Sequence, residues 1–310
     1  MSSRRSLKGA GRAKMAELAV SLKGLVKRYG GRTALDGLDL SVEKGSFHAL
    51  LGPNGSGKTT IFRTLMGFIR PDGGQGAVLG YPFGAGFPPV DLKARIGYVP
   101  ERFSLYESMT AGEILEFARE TNPRWDAEAE KRYVDLFVLK PDVRVKHMSL
   151  GVRAQLALTL AMGARPELLI LDEPTRGLDT LQRFRYLRAL VEDCAEEGRT
   201  VLLSSHDLYQ IERIADHVTI LREGKAVVSG SVDEVKEREK RVRVAGDVAP
   251  DVLAALPGVR RISRERGLTL LHVTGDVKTL ASALKATRGV SSFEILDQNL
   301  EEIFLSYVEQ

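Results

Sequence analysis

The chain has one cysteine, Cys194, one tryptophan and few aromatic residues, 6% in all. A lone thiol excludes an internal disulfide framework. With no ligand-type partners in Glu192-Asp193-Cys194-Ala195-Glu196, it reads as a plain helix residue. Long apolar runs are missing as well. A membrane-spanning helix needs about 20 apolar residues, and the longest candidate, Leu156 to Ala164, is far shorter and is interrupted by Thr159. Charge of one sign is equally scarce. Lys and Arg number 45 against 41 Asp and Glu, a net of +4 that does not by itself argue for nucleic acid. Met1 to Lys14 hold Arg4, Arg5, Lys8, Arg12 and Lys14 without an apolar core, so residues 1–16 read as a disordered basic tail and not as a secretory signal. These absences point to a soluble, intracellular protein whose 310 residues accommodate one large domain and a small one.

What is present centres on Gly52-Pro53-Asn54-Gly55-Ser56-Gly57-Lys58-Thr59-Thr60, the G-x-x-x-x-G-K-T pattern of a phosphate loop. Its context fits the chemistry. The apolar stretch Phe47-His48-Ala49-Leu50-Leu51 before it reads as a buried strand, and Ile61 to Met66 after it has helical spacing. Small residues let backbone N–H groups wrap phosphates, and the helix N-terminus adds partial positive charge. Lys58 is then placed to reach the β- and γ-phosphates, and the Thr59 hydroxyl to hold Mg²⁺. The stretch implies a nucleoside triphosphate site.

Upstream, residues 17–51 read as antiparallel strands with turns at Gly30-Gly31 and Glu43-Lys44-Gly45. Tyr29 either stacks on an adenine ring or is a half-buried tyrosine at a strand end; the residues alone support both. Residues 71–91, rich in Gly and Pro, read as loop or short strand, and Ile96 to Glu101 as a short strand leading out of the core. A mostly helical block follows over 108–165. One helix opens near Ser108 to Glu113 and closes at Asn122-Pro123, a second starts at the Asp126 cap and ends at Lys140-Pro141-Asp142, and a third runs from near Ser149 to Gly163.

Leu168-Leu169-Ile170-Leu171 is then an apolar strand ending in Asp172 and Glu173. A helix from Leu181 to Glu197 follows, and Thr200 to Ser204 is another buried strand ending near His206. Strand, helix and strand in alternation imply a parallel sheet, with ligands beyond its carboxyl edge. Lys58, Asp172, Glu173 and His206 all fall at that edge. In-line attack on a γ-phosphate needs a positioned water and neutralised charge, which carboxylates and a lysine there supply. From about residue 241 the order β-α-β-β-α-β suggests a split βαβ sandwich, with a short amphipathic helix Leu300 to Val308 closing the chain. That part is a regulatory or dimer-stabilising appendage, or a purely structural cap.

Over roughly residues 17–235 the chain resembles the ATP-binding subunits of ABC transporters. The resemblance rests on the phosphate loop, on Met148-Ser149-Leu150-Gly151-Val152-Arg153 at the place of the family's signature, on Leu171 to Asp179 with Asp172-Glu173 and Gly177-Leu178-Asp179, and on His206. Asn299 to Phe304 resembles the ending of exporter-type members with a small extra domain. The fold it implies is an α/β P-loop NTPase of ABC type, with a parallel core sheet, an antiparallel β subdomain and a helical subdomain over about 102–165, together spanning 17–240. A small α+β ferredoxin-like domain is expected over 241–310.

The resemblance further implies ATP and Mg²⁺ as the bound species. Tyr29 would stack on adenine, and Lys58, Thr59 and Thr60 would hold phosphates and magnesium. Asp172 and Glu101 would face Mg²⁺, Glu173 would be the general base, and His206 would contact the γ-phosphate. Ser149, Gly151 and Asp179 would act across the interface with a second ATPase subunit. Separate transmembrane permease subunits would be the other partners, holding the chain at the cytoplasmic face of the cell membrane, with export the expected direction.

Two positions depart from the family's usual pattern. Glu101 stands where Gln is usual, keeping an oxygen for Mg²⁺ but losing the amide donor. Leu150 and Val152 replace a Gly and the Gln of the signature, which suggests pairing with a different ATPase subunit as an alternative to a homodimer. The competing function is a soluble ABC-type ATPase acting on nucleic acid or ribosomes. Such relatives usually carry two phosphate loops or a long coiled-coil insertion, neither of which this chain has, and no basic-aromatic stacking platform is present.

Overall fold

A computed structural model describes residues 17–308 apart from 85, 103, 266 and 267; the expected basic tail over 1–16 and the Arg266-Gly267 turn lie outside the described residues. Two long strands, β1 (Leu18–Tyr29) and β2 (Arg32–Glu43), pair antiparallel and lead into the fully buried β3 (Phe47–Leu51). The helix α1 (Lys58–Leu65) leaves the phosphate loop. The Gly-rich stretch beyond it forms more strand than its composition suggests: β4 (Gly73–Val78) pairs with β1, Val20 opposite Val78, and the two-residue β5 (Tyr81–Pro82) pairs with β4. Register with an existing strand here overrides poor local propensity. A single turn, α2 (Val90–Lys93), precedes β6 (Ile96–Val99).

The helical block comprises α3 (Ala111–Thr121), α4 (Ala127–Phe137) and α5 (Leu150–Gly163). Their starts follow cap chemistry: Thr110 and Glu113 form a capping box, Asp126 accepts from Ala129 N–H, and Ser149 accepts from Val152 N–H. The second helix stops at Phe137, before the expected Lys140-Pro141, because Val138 takes a left-handed conformation at φ 53°.

Then β7 (Leu168–Asp172), α6 (Thr180–Glu197), β8 (Thr200–Ser204), α7 (Leu208–Ile214), β9 (His217–Arg222) and β10 (Lys225–Ser231) complete a six-stranded sheet. Its order is β10-β9-β3-β8-β7-β6, parallel except for β10 at the edge. The sheet is buried on both faces, with strict alternation. Ala49, Leu51, Leu169, Leu171, Val201 and Leu203 face the helices, while Leu50, Leu168, Ile170 and Leu202 face α1 and the antiparallel sheet. Each fully buried leucine contributes roughly 1.5–3 kcal/mol, so this three-layer core fixes the carboxyl ends of β3, β6, β7 and β8 along one edge.

After α8 (Val232–Arg238) the chain enters β11 (Glu239–Gly246), α9 (Pro250–Ala254), β12 (Val259–Glu265), β13 (Leu268–Thr274), α10 (Val277–Ala286) and β14 (Val290–Leu296). The antiparallel order β12-β13-β11-β14 is that of the ferredoxin-like sandwich, with its own apolar cluster around Val242, Leu271, Val273, Leu280 and Leu284. The last helix, α11 (Leu300–Val308), packs against α7 and α8 and places Leu300, Ile303 and Tyr307 in the main core.

Candidate active site

The phosphate loop is shaped by close approach. A side chain at Gly52 would come within 2.5 Å of Ser56 Oγ and 2.7 Å of the Leu221 carbonyl, and one at Gly57 within 2.8 Å of the Ala34 carbonyl. Gly57 also holds φ at 113°, where glycine alone is comfortable. No side chain caps α1, so its first N–H groups face the loop. Lys58 is buried, its Nζ donating to the carbonyls of Gly52 at 2.6 Å and Pro53 at 3.3 Å. Burial lowers the Lys58 pKa, opposed by Glu173, Asp172 and Glu101.

Across from the loop, the parallel register sets Asp172 beside Ser204. Asp172 is 2% exposed; its Oδ2 accepts from Thr59 Oγ1 at 2.9 Å and its Oδ1 from Ser204 Oγ at 2.7 Å. Glu173 sits at φ 51°, a left-handed backbone that costs a glutamate on the order of 1–3 kcal/mol. Its Oε1 lies 3.1 Å from His206 Nε2, in ion-pair range but without hydrogen-bond geometry. Burial pushes the Glu173 carboxyl up to about 7, with Lys58 opposing and Asp172 and Glu101 adding to it. His206 is shifted down by burial and by the Lys58 charge, which favours the neutral imidazole.

These groups line one cavity of about 630 Å³, a size suited to a small-molecule ligand. Tyr29, Asn54, Gly55, Gly57, Lys58, Thr59, Thr60, Glu101, Asp172, Glu173 and His206 all border it. Gly52, Pro53 and Ser56 sit in the loop itself, and the buried Ser56 Oγ has no hydrogen-bond partner. Tyr29, at the end of β1, is 47% exposed with Lys27 Nζ 5.5 Å from its ring centroid. Ser149, Gly151 and Asp179 do not border the cavity. They lie elsewhere: Ser149 caps α5, Asp179 caps α6 through Gln182 N–H, and a side chain at Gly151 would lie 3.0 Å from the Gly177 carbonyl.

Three residues escaped the sequence reading. Arg32 reaches from β2 to donate to the Gly55 carbonyl at 3.1 Å, and Arg176 forms an ion pair with Glu101. Ser204 bridges the two acidic residues, accepting the Glu173 N–H at 2.9 Å while donating to Asp172. A lysine, a raised-pKa carboxylate and a neutral imidazole around one cavity suit phosphoryl transfer to water.

Known proteins match this chain over most of its length. Residues 35–176 match the ABC transporter family, and residues 230–308 match the C-terminal domain of DrrA1-3-like ATP-binding proteins. The daunorubicin resistance ATP-binding protein DrrA3 of Streptomyces coeruleorubidus is 33% identical, over 94% of this chain and 96% of its own. The Nod factor export ATP-binding protein I of Rhizobium sp. (strain N33) is 31% identical over 94% and 97%. A solved ATP-binding subunit of an ABC transporter superposes with a TM-score of 0.65 at 30% identity, over 71% of this chain and 92% of that one. With relatives matched over nearly their whole length and a shared fold, the chain belongs to the ABC transporter family as an ATP-binding, ATP-hydrolysing subunit.

Proposed function

We propose that this ATPase drives export through separate membrane subunits, by closing around two ATP molecules against a second ATPase subunit. The observation that carries the reading is the convergence of Lys58, Asp172, Glu173 and His206 on one cavity. Similarity to proteins named for daunorubicin resistance and Nod factor export, extending through the small C-terminal domain, supports the outward direction. No helix among the described residues is long and apolar enough to cross a membrane. The translocation path therefore belongs to a partner, and the chain sits at the cytoplasmic face of the membrane through it.

In this reading Glu173 is the base that takes a proton from the attacking water, and His206 contacts the γ-phosphate. Lys58 neutralises charge on the β- and γ-phosphates, and Tyr29 stacks on adenine. The donors present fit Mg²⁺: Thr59 Oγ1 and Asp172 Oδ2 are hard oxygens 2.9 Å apart at the cavity wall, with Glu101 on the same wall. Once bound with the triphosphate, the ion supplies charge neutralisation. Ser149, Gly151 and Asp179, which do not border this cavity, serve the triphosphate held by the partner subunit. Residues 17–240 work as the ATPase, and the small domain from 241 stabilises or regulates the assembly. Leu150, 53% exposed at the start of α5, suits a partner with an unlike surface.

Isolation of the chain with its membrane partner tests this. Co-purification of a multi-span protein and two different ATPase polypeptides supports the heteromeric assembly; two copies of this chain alone establish a homodimer, and salt-sensitive RNA or DNA binding without a membrane partner contradicts the transport reading.

A further inference from the structure

We infer that Ser204 is a positioning residue for hydrolysis, its hydroxyl holding Glu173 in place and selecting which oxygen of Asp172 faces Thr59. The inference rests on the general-base reading of Glu173 and concerns what keeps that base aimed. Ser204 ends β8, is fully buried, and lies opposite Asp172 in the parallel register. A serine hydroxyl has one proton to give and lone pairs to receive, and both capacities are used here. The proton goes to Asp172 Oδ1 at 2.7 Å, and a lone pair receives the Glu173 backbone N–H at 2.9 Å.

Glu173 needs such a restraint. A non-glycine residue at φ 51° persists only where its surroundings over-determine it. The bond to Ser204 holds the amide at the turn where the chain leaves β7, so the glutamate side chain is directed to the cavity that His206 and Lys58 also border. With Oδ1 of Asp172 occupied by Ser204, Oδ2 is the oxygen that meets Thr59. One hydroxyl thus separates the tasks of two adjacent carboxylates. Ser205 does something different: its Oγ accepts from Asp207 N–H and shapes the turn into α7.

The test compares Ser204→Ala, Ser204→Thr, Glu173→Gln and the Ser204→Ala/Glu173→Gln pair, reading kcat, KM and the equilibrium affinity for ATP. Ser204→Ala should lower kcat about 10- to 100-fold with ATP affinity kept within about threefold. Ser204→Thr, which keeps the hydroxyl, should restore turnover. Glu173→Gln should abolish turnover, and the pair should bind ATP within about threefold of Glu173→Gln alone, because the hydroxyl aims the base and does not hold the nucleotide. The inference is overturned if Ser204→Ala turns over normally while Glu173→Gln is inactive, or if affinity falls as far as kcat in Ser204→Ala or falls likewise in the pair. An active Glu173→Gln enzyme removes the general-base reading itself, and this inference with it.

Discussion

The carboxylate of Glu101 is ion-paired with the guanidinium of Arg176, joining the end of β6 to the turn that follows Glu173 and Pro174. Both residues border the nucleotide cavity. At Glu101, where the resemblance leads one to expect an amide that both accepts and donates, the neighbouring guanidinium supplies the donors that a carboxylate lacks. Pair and amide are alike in net charge, so an unpaired negative charge does not face the triphosphate.

Arg176→Ala should therefore weaken ATP binding roughly tenfold, about 1.4 kcal/mol, while leaving the unfolding midpoint almost unmoved. Half-exposed pairs contribute only about 0.2–1 kcal/mol to stability, and Arg176 is 57% exposed. Glu101→Gln added to Arg176→Ala should recover most of the affinity. Nucleotide titrations of the unaltered chain, Arg176→Ala, Glu101→Gln and the pair check this; losses that simply add contradict the pairing.

Turnover should follow the ionisation of Glu173. A general base must be deprotonated, so kcat/KM should rise with pH along a limb centred near about 7. Glu173→Gln should lose that limb along with the activity. Stability runs the other way. Because the folded carboxyl binds its proton more tightly than the usual 4.5, its contribution is fully present below pH 4.5 and is lost as pH rises through about 7. Comparing thermal unfolding of Glu173→Gln and the unaltered chain at pH 5 and 8 reads this directly; the advantage of the glutamine should grow with pH.

The last helix should prove to tie the small domain to the ATPase core, since Glu239 and Arg260 lie on β11 and β12 and Arg222 on β9. Tyr307 donates from its hydroxyl to the buried Glu239 at 2.8 Å, carries Arg260 over its ring at 3.6 Å, and accepts from Arg222 through its carbonyl. Tyr307→Phe removes a hydrogen bond to a buried charge, costing about 1.5–3 kcal/mol. Denaturant unfolding should show that loss, with earlier proteolysis near the C-terminus; an unchanged midpoint contradicts it.

Much of this was legible in the chain because its signals are local. Asp126 and Ser149 announce helix starts through the cap bonds they make, whereas the cap at Asp179, which starts α6 at Thr180 ahead of the expected Leu181, was not read. Runs such as Leu168 to Leu171 announce strands buried on both faces. The proposed catalytic groups lie at such local signals too: Lys58 opens α1, Asp172 ends β7, and Glu173 and His206 lie just beyond β7 and β8. What stayed hidden depends on contacts between distant positions. Arg32 meets Gly55 at a separation of 23 residues, Ser204 meets Asp172 at 32, and Arg176 meets Glu101 at 75. The strand β4 was legible only as one of two alternatives, loop or short strand, since its glycines carry little strand signal and pairing with β1 and β5 orders them.

The most direct measurement is the mass of Glu173→Gln in ATP and magnesium, by light scattering, with turnover recorded in the same sample and candidate partner ATPase subunits supplied. The account predicts tight ATP binding, abolished hydrolysis and a stable species containing two ATPase polypeptides. A chain that stays monomeric under those conditions, or that hydrolyses ATP at the unaltered rate, contradicts it.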